Sequence, residues 1–91
     1  MRTKMVTKHA AIRMKQRGIP PVIIDWLQQF GAEEFDHHGA IRYSFDKRSL
    51  KRLQSYLGTQ AVGVVEQYRR CYVVVSMDGA VITTGYRHHL H

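Results

Sequence analysis

The stretch YVVVSMDGAVITTGYR, Tyr72 to Arg87, decides the fold. It holds two runs rich in β-branched and apolar residues, Tyr72–Met77 and Ala80–Arg87, joined by Asp78-Gly79, a preferred dipeptide for a two-residue type I′ hairpin. A turn of that length sets Met77 opposite Ala80, Val75 opposite Ile82, Val73 opposite Thr84 and Cys71 opposite Tyr86. That face is mostly apolar and is expected to pack on helices. The other face pairs Ser76 with Val81, Val74 with Thr83, Tyr72 with Gly85 and Arg70 with Arg87, so it ends in two cations beside an aromatic ring and a glycine.

Upstream of the hairpin, Asp46 is placed to cap a helix running to about Leu57, with Gly58 as its stop. Leu50, Leu53 and Leu57 of that helix face the core, while Lys47, Arg48, Lys51 and Arg52 face water or phosphate. Val62 to Val65 fits a strand or an irregular link equally well. Two short strands are expected around Glu33–Asp36 and Ala40–Phe45, with His37, His38 and Gly39 as their turn. Near the start, Thr7 is an N-cap for a helix over Lys8–Arg17 that Gly18 ends. Pro20 and Pro21 then open a helix over Val22–Phe30, closed by Gly31, whose Val22, Ile23, Trp26, Leu27 and Phe30 form one apolar stripe. The fold class is therefore α+β: two N-terminal helices packed on a small antiparallel sheet, with one further helix before the C-terminal hairpin. No repeat or linker divides residues 1–91, and a chain this short holds one core and one domain.

Charge narrows the partners. Lys plus Arg number 14 against 7 Asp plus Glu, a formal charge of +7 and a pI near 10.0. So large an excess on so small a surface attracts polyanions, with RNA expected over DNA; the alternatives are plain solubility or an acidic protein partner. Cys71 is the only cysteine, which excludes an intramolecular disulfide and a cysteine zinc knuckle and fits a reducing cytoplasm. No apolar run approaches the roughly 20 residues of a membrane span, and Met1–Lys8 has no signal-peptide apolar region. A cytoplasmic protein without a membrane partner is expected.

Two groups of residues can carry chemistry. His9, Arg13 and Arg17 recur every four residues on the first helix, a drift of about 40° per step that aligns them as a stripe. The final strand contributes Thr83, Thr84, Tyr86, Arg87, His88 and His89, with Arg70 beside Arg87. Cleaving an RNA backbone needs a base for the 2′-hydroxyl proton, cations for the phosphorane and an acid for the leaving 5′-oxygen, and imidazole, phenol and guanidinium supply these without metal. The same groups can stack on bases or hold phosphates with no reaction. Adjacent histidines on a strand point to opposite faces, so His37 with His38 and His88 with His89 are poor chelating pairs, and neither a metal nor a cofactor is expected. The carboxylates show no motif spacing for metal-dependent nuclease work, and glycine-rich phosphate loops and nucleophile elbows are absent from the sequence.

His9, Arg13-Met14 and Arg17-Gly18-Ile19, followed by a short helix, a meandering sheet and a closing strand with Val81-Ile82-Thr83-Thr84 and Tyr86-Arg87, resemble the family catalogued as domain of unknown function 4258. That family is itself similar to the RelE/ParE-type toxins. The similarity spans about Thr7 to His88, but its specific part is His9, Arg13, Arg17, Gly18 and the terminal strand. The resemblance implies a RelE-like domain with a basic cleft of the kind related toxins use to cut messenger RNA. Carried over, His9 would act as general base or acid, Arg17 and Arg87 would stabilise phosphate charge, and Tyr86 would orient or stack on a base. Arg13, Lys47, Arg48, Lys51, Arg52, Arg70, Thr84 and His88 would extend the nucleic-acid contact. An acidic antitoxin is the partner such a toxin implies. The helix between Asp46 and Gly58 is longer and more basic than the family's usual pattern, which puts the shape of the cleft in question. The functions in view are a metal-independent ribonuclease, a non-catalytic nucleic-acid-binding module, and an interaction module for an acidic protein, the last two fitting a phage or mobile element.

Overall fold

The computed structural model describes residues 5–87, with Val62 described as backbone only. Four strands, β1 (Ala32–Phe35), β2 (Ala40–Ser44), β3 (Cys71–Ser76) and β4 (Val81–Tyr86), form one antiparallel sheet in the order of the chain. On β3, Cys71, Val73 and Val75 are buried, while Tyr72, Val74 and Ser76 are half-buried. This alternation gives the sheet a core face and an open face.

The hairpin keeps its predicted pairs at one end and departs from them at the other. Cys71 partners Tyr86, Tyr72 partners Gly85, Val73 partners Thr84 and Val74 partners Thr83, as the sequence implies. Nearer the turn, however, Val75 partners Val81, not Ile82, and Ser76 closes on Ala80. The loop is therefore Met77-Asp78-Gly79, three residues in place of two. Ser76 explains it: its N–H donates to the Ala80 carbonyl at 2.8 Å, its hydroxyl accepts from the Ala80 N–H at 3.0 Å, and it also bonds the Asp78 carboxylate. Gly79 takes φ 93°, the left-handed region such a loop needs. Ile82 is then an extra residue, a β-bulge. Without the bulge, Val81 and Thr84 would lie on opposite faces; with it, both are fully buried on the core side.

Helix α1 (Lys8–Arg17) begins at Thr7, whose hydroxyl accepts from the Ala10 N–H, and ends at Gly18 with φ 63°. Helix α2 (Pro21–Phe30) starts one residue earlier than expected because proline at the first helical position already has the helical φ. Gly31 ends it in extended conformation, and the need for glycine is steric: a Cβ there would sit 2.4 Å from the Leu27 carbonyl oxygen. Helix α3 (Lys47–Leu57) carries a reciprocal capping box between Asp46 and Ser49. A 3₁₀ turn at Thr59–Ala61 and a short helix α4 (Val62–Gln67) follow, where a strand or irregular link was expected. Two helices, α3 and α4, thus stand between β2 and the hairpin, where one was expected. Val65 is buried and Tyr68 packs on the same core three positions on, a spacing that helix satisfies and strand does not.

Ala10 of α1, Ile23, Ile24 and Leu27 of α2, Leu53 of α3 and Val65 of α4 share one core with Cys71, Val73, Val75 and Val81. All four helices thus join the core that carries the apolar face of β3. A segment of which the sequence had assigned only Thr7 completes the frame. Met5–Thr7 runs parallel to the start of β4, with the Val81 N–H donating to the Met5 carbonyl at 2.8 Å and the Thr7 N–H to the Val81 carbonyl at 3.0 Å.

Candidate nucleic-acid interface

Thr7 fixes where α1 meets the sheet. Its hydroxyl caps the helix and also donates to the carbonyl of Ile82, the bulged residue of β4, at 3.1 Å. The helix start is thereby tied to β4 at the one point where the strand is irregular. His9, two residues on, reaches Thr83 on the open side of the strand, with 3.2 Å between Nε2 and the hydroxyl oxygen. Its ring is exposed.

The neighbouring strands complete the surface. Tyr72 faces Gly85, and its phenol lies so close that a Cβ on Gly85 would come within 3.1 Å of the Tyr72 hydroxyl. The guanidinium carbon of Arg42 lies over the Tyr72 ring, 4.3 Å from its centroid. Arg87 shares the face with Gly85 and Thr83 by strand alternation, and its guanidinium donates to the Phe45 carbonyl at 3.0 Å. The Nε atoms of Arg13, Arg42 and Arg87 are buried without a hydrogen-bond partner. None of the three arginines forms an ion pair with a described residue, although Glu34 is the cross-strand neighbour of Arg42. Cations without an ion pair on one surface give a field suited to phosphate.

The predicted residues divide. His9 and Arg87 both lie on the β4 side of the open face, and Arg13 is half-buried one helical turn beyond His9. Arg17 is exposed at the far end of α1, about 12 Å along the helix axis from His9. Arg70 is exposed, and its carbonyl accepts from the Arg87 N–H at 2.8 Å. Lys47, Arg48, Lys51 and Arg52 are exposed on α3, which packs against α2 and α4 in the helical layer, so they form a separate basic surface. Thr84 is fully buried and donates to the Tyr72 carbonyl at 2.6 Å, so its hydroxyl has no surface to offer a polyanion. Tyr86 also turns inward, packing on the core beside Cys71. Burial and the adjacent thiol push its phenol up to about 12, so it keeps its proton near neutrality and is no general base. Cys71 is fully buried too, and burial pushes its thiol up to about 11 against the opposing hydrogen bond with Tyr86. His88 lies outside the described residues.

Arg42 was missed by sequence reasoning, since nothing local shows that β2 lies beside β3. Tyr72 and Gly85 were legible as a cross-strand pair but not as a site. Among the described residues no group of three His, Cys, Asp or Glu side chains could hold a metal ion, and no helix is long and apolar enough to cross a membrane. An open apolar groove of about 620 Å³, lined by Val6, Met14, Ile19, Pro20, Pro21 and Tyr68 among others, contains none of the predicted site residues among the described residues. Comparison with protein-family models, curated proteins and solved structures finds no match to this chain.

Proposed function

We propose that this protein binds RNA on the open face of its sheet and cleaves it without a metal ion, as a toxin-like ribonuclease of RelE-like build. The contact between His9 and Thr83 carries the reading. It brings the one histidine of the first helix to the strand that bears Arg87, beside Arg42 and Tyr72. An imidazole there can take the 2′-hydroxyl proton or return one to the 5′-oxygen, since its ring nitrogens can accept or donate a proton. Arg87 faces the charge that builds on the phosphorus oxygens. RNA is preferred to DNA because only RNA carries the attacking 2′-oxygen. The net charge of +7 supports capture of a polyanion, and an acidic protein that covers the same face would act as an inhibitor of antitoxin type in the cytoplasm.

The inward turn of Tyr86 and Thr84 favours a second reading, a surface that binds RNA without cutting it. One experiment separates the two. End-labelled single-stranded RNA is incubated with purified protein in EDTA, beside a His9→Ala variant whose fold is checked by circular dichroism. Cleavage that falls roughly 100- to 10,000-fold in the variant is the expected result. Retention of RNA without cleavage by either protein establishes the binding module instead, and equal cutting by both proteins rules out His9.

A further inference from the structure

The open face holds a feature that proton transfer does not use. Tyr72 lies down on the strand beside it because Gly85 has no side chain: a Cβ at that position would meet the hydroxyl at 3.1 Å and the ring at 3.3 Å. The guanidinium of Arg42 lies over the same ring, 4.3 Å from the centroid. Arg42 is not held there by a carboxylate, since it has no ion pair among the described residues and its buried Nε has no acceptor. The pair is half-buried, so the arrangement is partly desolvated while its outer surface remains open. On β4 the site is bracketed by Thr83, which touches His9, and by Arg87, four residues on and so about 13 Å away along the strand.

We infer that Arg42 and Tyr72 form a stacking platform for one unpaired nucleobase, seated over Gly85 between the phosphates near His9 and Arg87. This assignment rests on the RNA reading and deepens it by naming the substrate class as single-stranded. The planar guanidinium of Arg42, backed by the Tyr72 ring, offers π surface to any base, whereas the base faces of a duplex are already covered by their neighbours. Phosphate attraction alone does not distinguish the two forms of RNA in this way. The platform also gives the glycine a reason: alanine at position 85 would press the ring outward by a few tenths of an ångström.

The test uses the full chain and 2′-O-methyl hexanucleotides, which lack the attacking hydroxyl and stay intact. Binding is measured for an intact single strand, for the same strand with its central bases removed but all phosphates kept, and for the corresponding duplex. For the native protein the platform predicts a loss of about tenfold or more on removing the bases, and a similar preference for single strand over duplex. Arg42→Ala and Tyr72→Leu are expected to bind intact and abasic strands alike, while Tyr72→Phe, which keeps the ring, behaves as the native protein. Tyr72→Phe guards against misfolding as the explanation. Equal binding of intact and abasic strands by the native protein overturns the platform and leaves RNA binding standing. No retention of any oligonucleotide overturns both.

Discussion

The imidazole Nε2 of His9 lies 3.2 Å from the hydroxyl of Thr83, a residue 74 positions further along the chain. Two local devices produce this contact. The bulge at Ile82 brings Val81 into the core with Thr84 while Thr83 keeps its place on the open face opposite Val74, and the Thr7 hydroxyl bonds both the helix start and the Ile82 carbonyl. An ordinary two-residue hairpin would have placed Val81 on the open face and removed this anchorage. The site therefore depends on an irregular strand more than on any single cation.

Thr83 is accordingly a positioning residue for His9. Thr83→Val is expected to lower RNA cleavage on the order of tenfold while leaving oligonucleotide affinity unchanged, because it removes an orienting hydrogen bond and no charge. Thr83→Ser should restore the rate. A loss of affinity equal to the loss of rate would show instead that the threonine serves the surface as a whole.

Much of this arrangement was legible in the chain. The Asp46 and Thr7 caps, the Gly18 stop and the Val73–Thr84 and Cys71–Tyr86 pairs follow from local chemistry. What sequence could not show was decided by competition between local and tertiary preferences. Ser76 outbids the Asp-Gly turn for the Ala80 backbone, and burial of Val65 with Tyr68 converts a valine-rich stretch into helix. Tyr86 and Thr84 were read as functional because of their polar atoms, yet alternation from Val73 and Cys71 already placed them on the apolar face. Arg42 needed the pairing of β2 with β3 across the intervening α3 and α4, a non-local fact.

The capping box makes a prediction about acid. Bonds from the Ser49 N–H and hydroxyl hold the Asp46 carboxyl below the ordinary carboxylate value of 3.8. A carboxylate whose folded value is depressed adds stability that is complete above the unfolded value and is lost as pH falls through the folded one. Asp46→Ala is expected to cost about 1 kcal/mol at pH 7 in denaturant unfolding. The gap to the native protein should begin to close below about pH 4. A gap that stays constant down to pH 2 would mean that the side chain acts by packing and not through its charge.

Cys71 should be silent in the folded protein. It has no exposed surface, and with its thiol pushed up to about 11 almost none is thiolate at pH 8. Alkylation at pH 8 is expected to proceed only through unfolding, so that its rate rises with denaturant in step with loss of the circular dichroism signal. Rapid labelling of native protein would contradict the packing of β3 against the helices.

The two basic surfaces can be told apart by salt. Each phosphate neutralised on a single strand contributes about 0.7 to the slope of log affinity against log salt. Arg87 lies on the open face, so Arg87→Gln should flatten the slope for a hexanucleotide by roughly that amount. Lys51 and Arg52 stand on α3 in the helical layer and not on the sheet face that holds Gly85. A Lys51→Gln, Arg52→Gln double variant should therefore leave the hexanucleotide slope unchanged. With RNA of several tens of nucleotides, long enough to pass from the sheet round to α3, the same variant should flatten the slope by up to about 1.4. The link between the surfaces is Phe45, whose carbonyl takes the Arg87 guanidinium just before Asp46 and Lys47 begin α3. An equal effect of the double variant on short and long RNA would place α3 within the primary site, and no effect on either would confine RNA to the sheet.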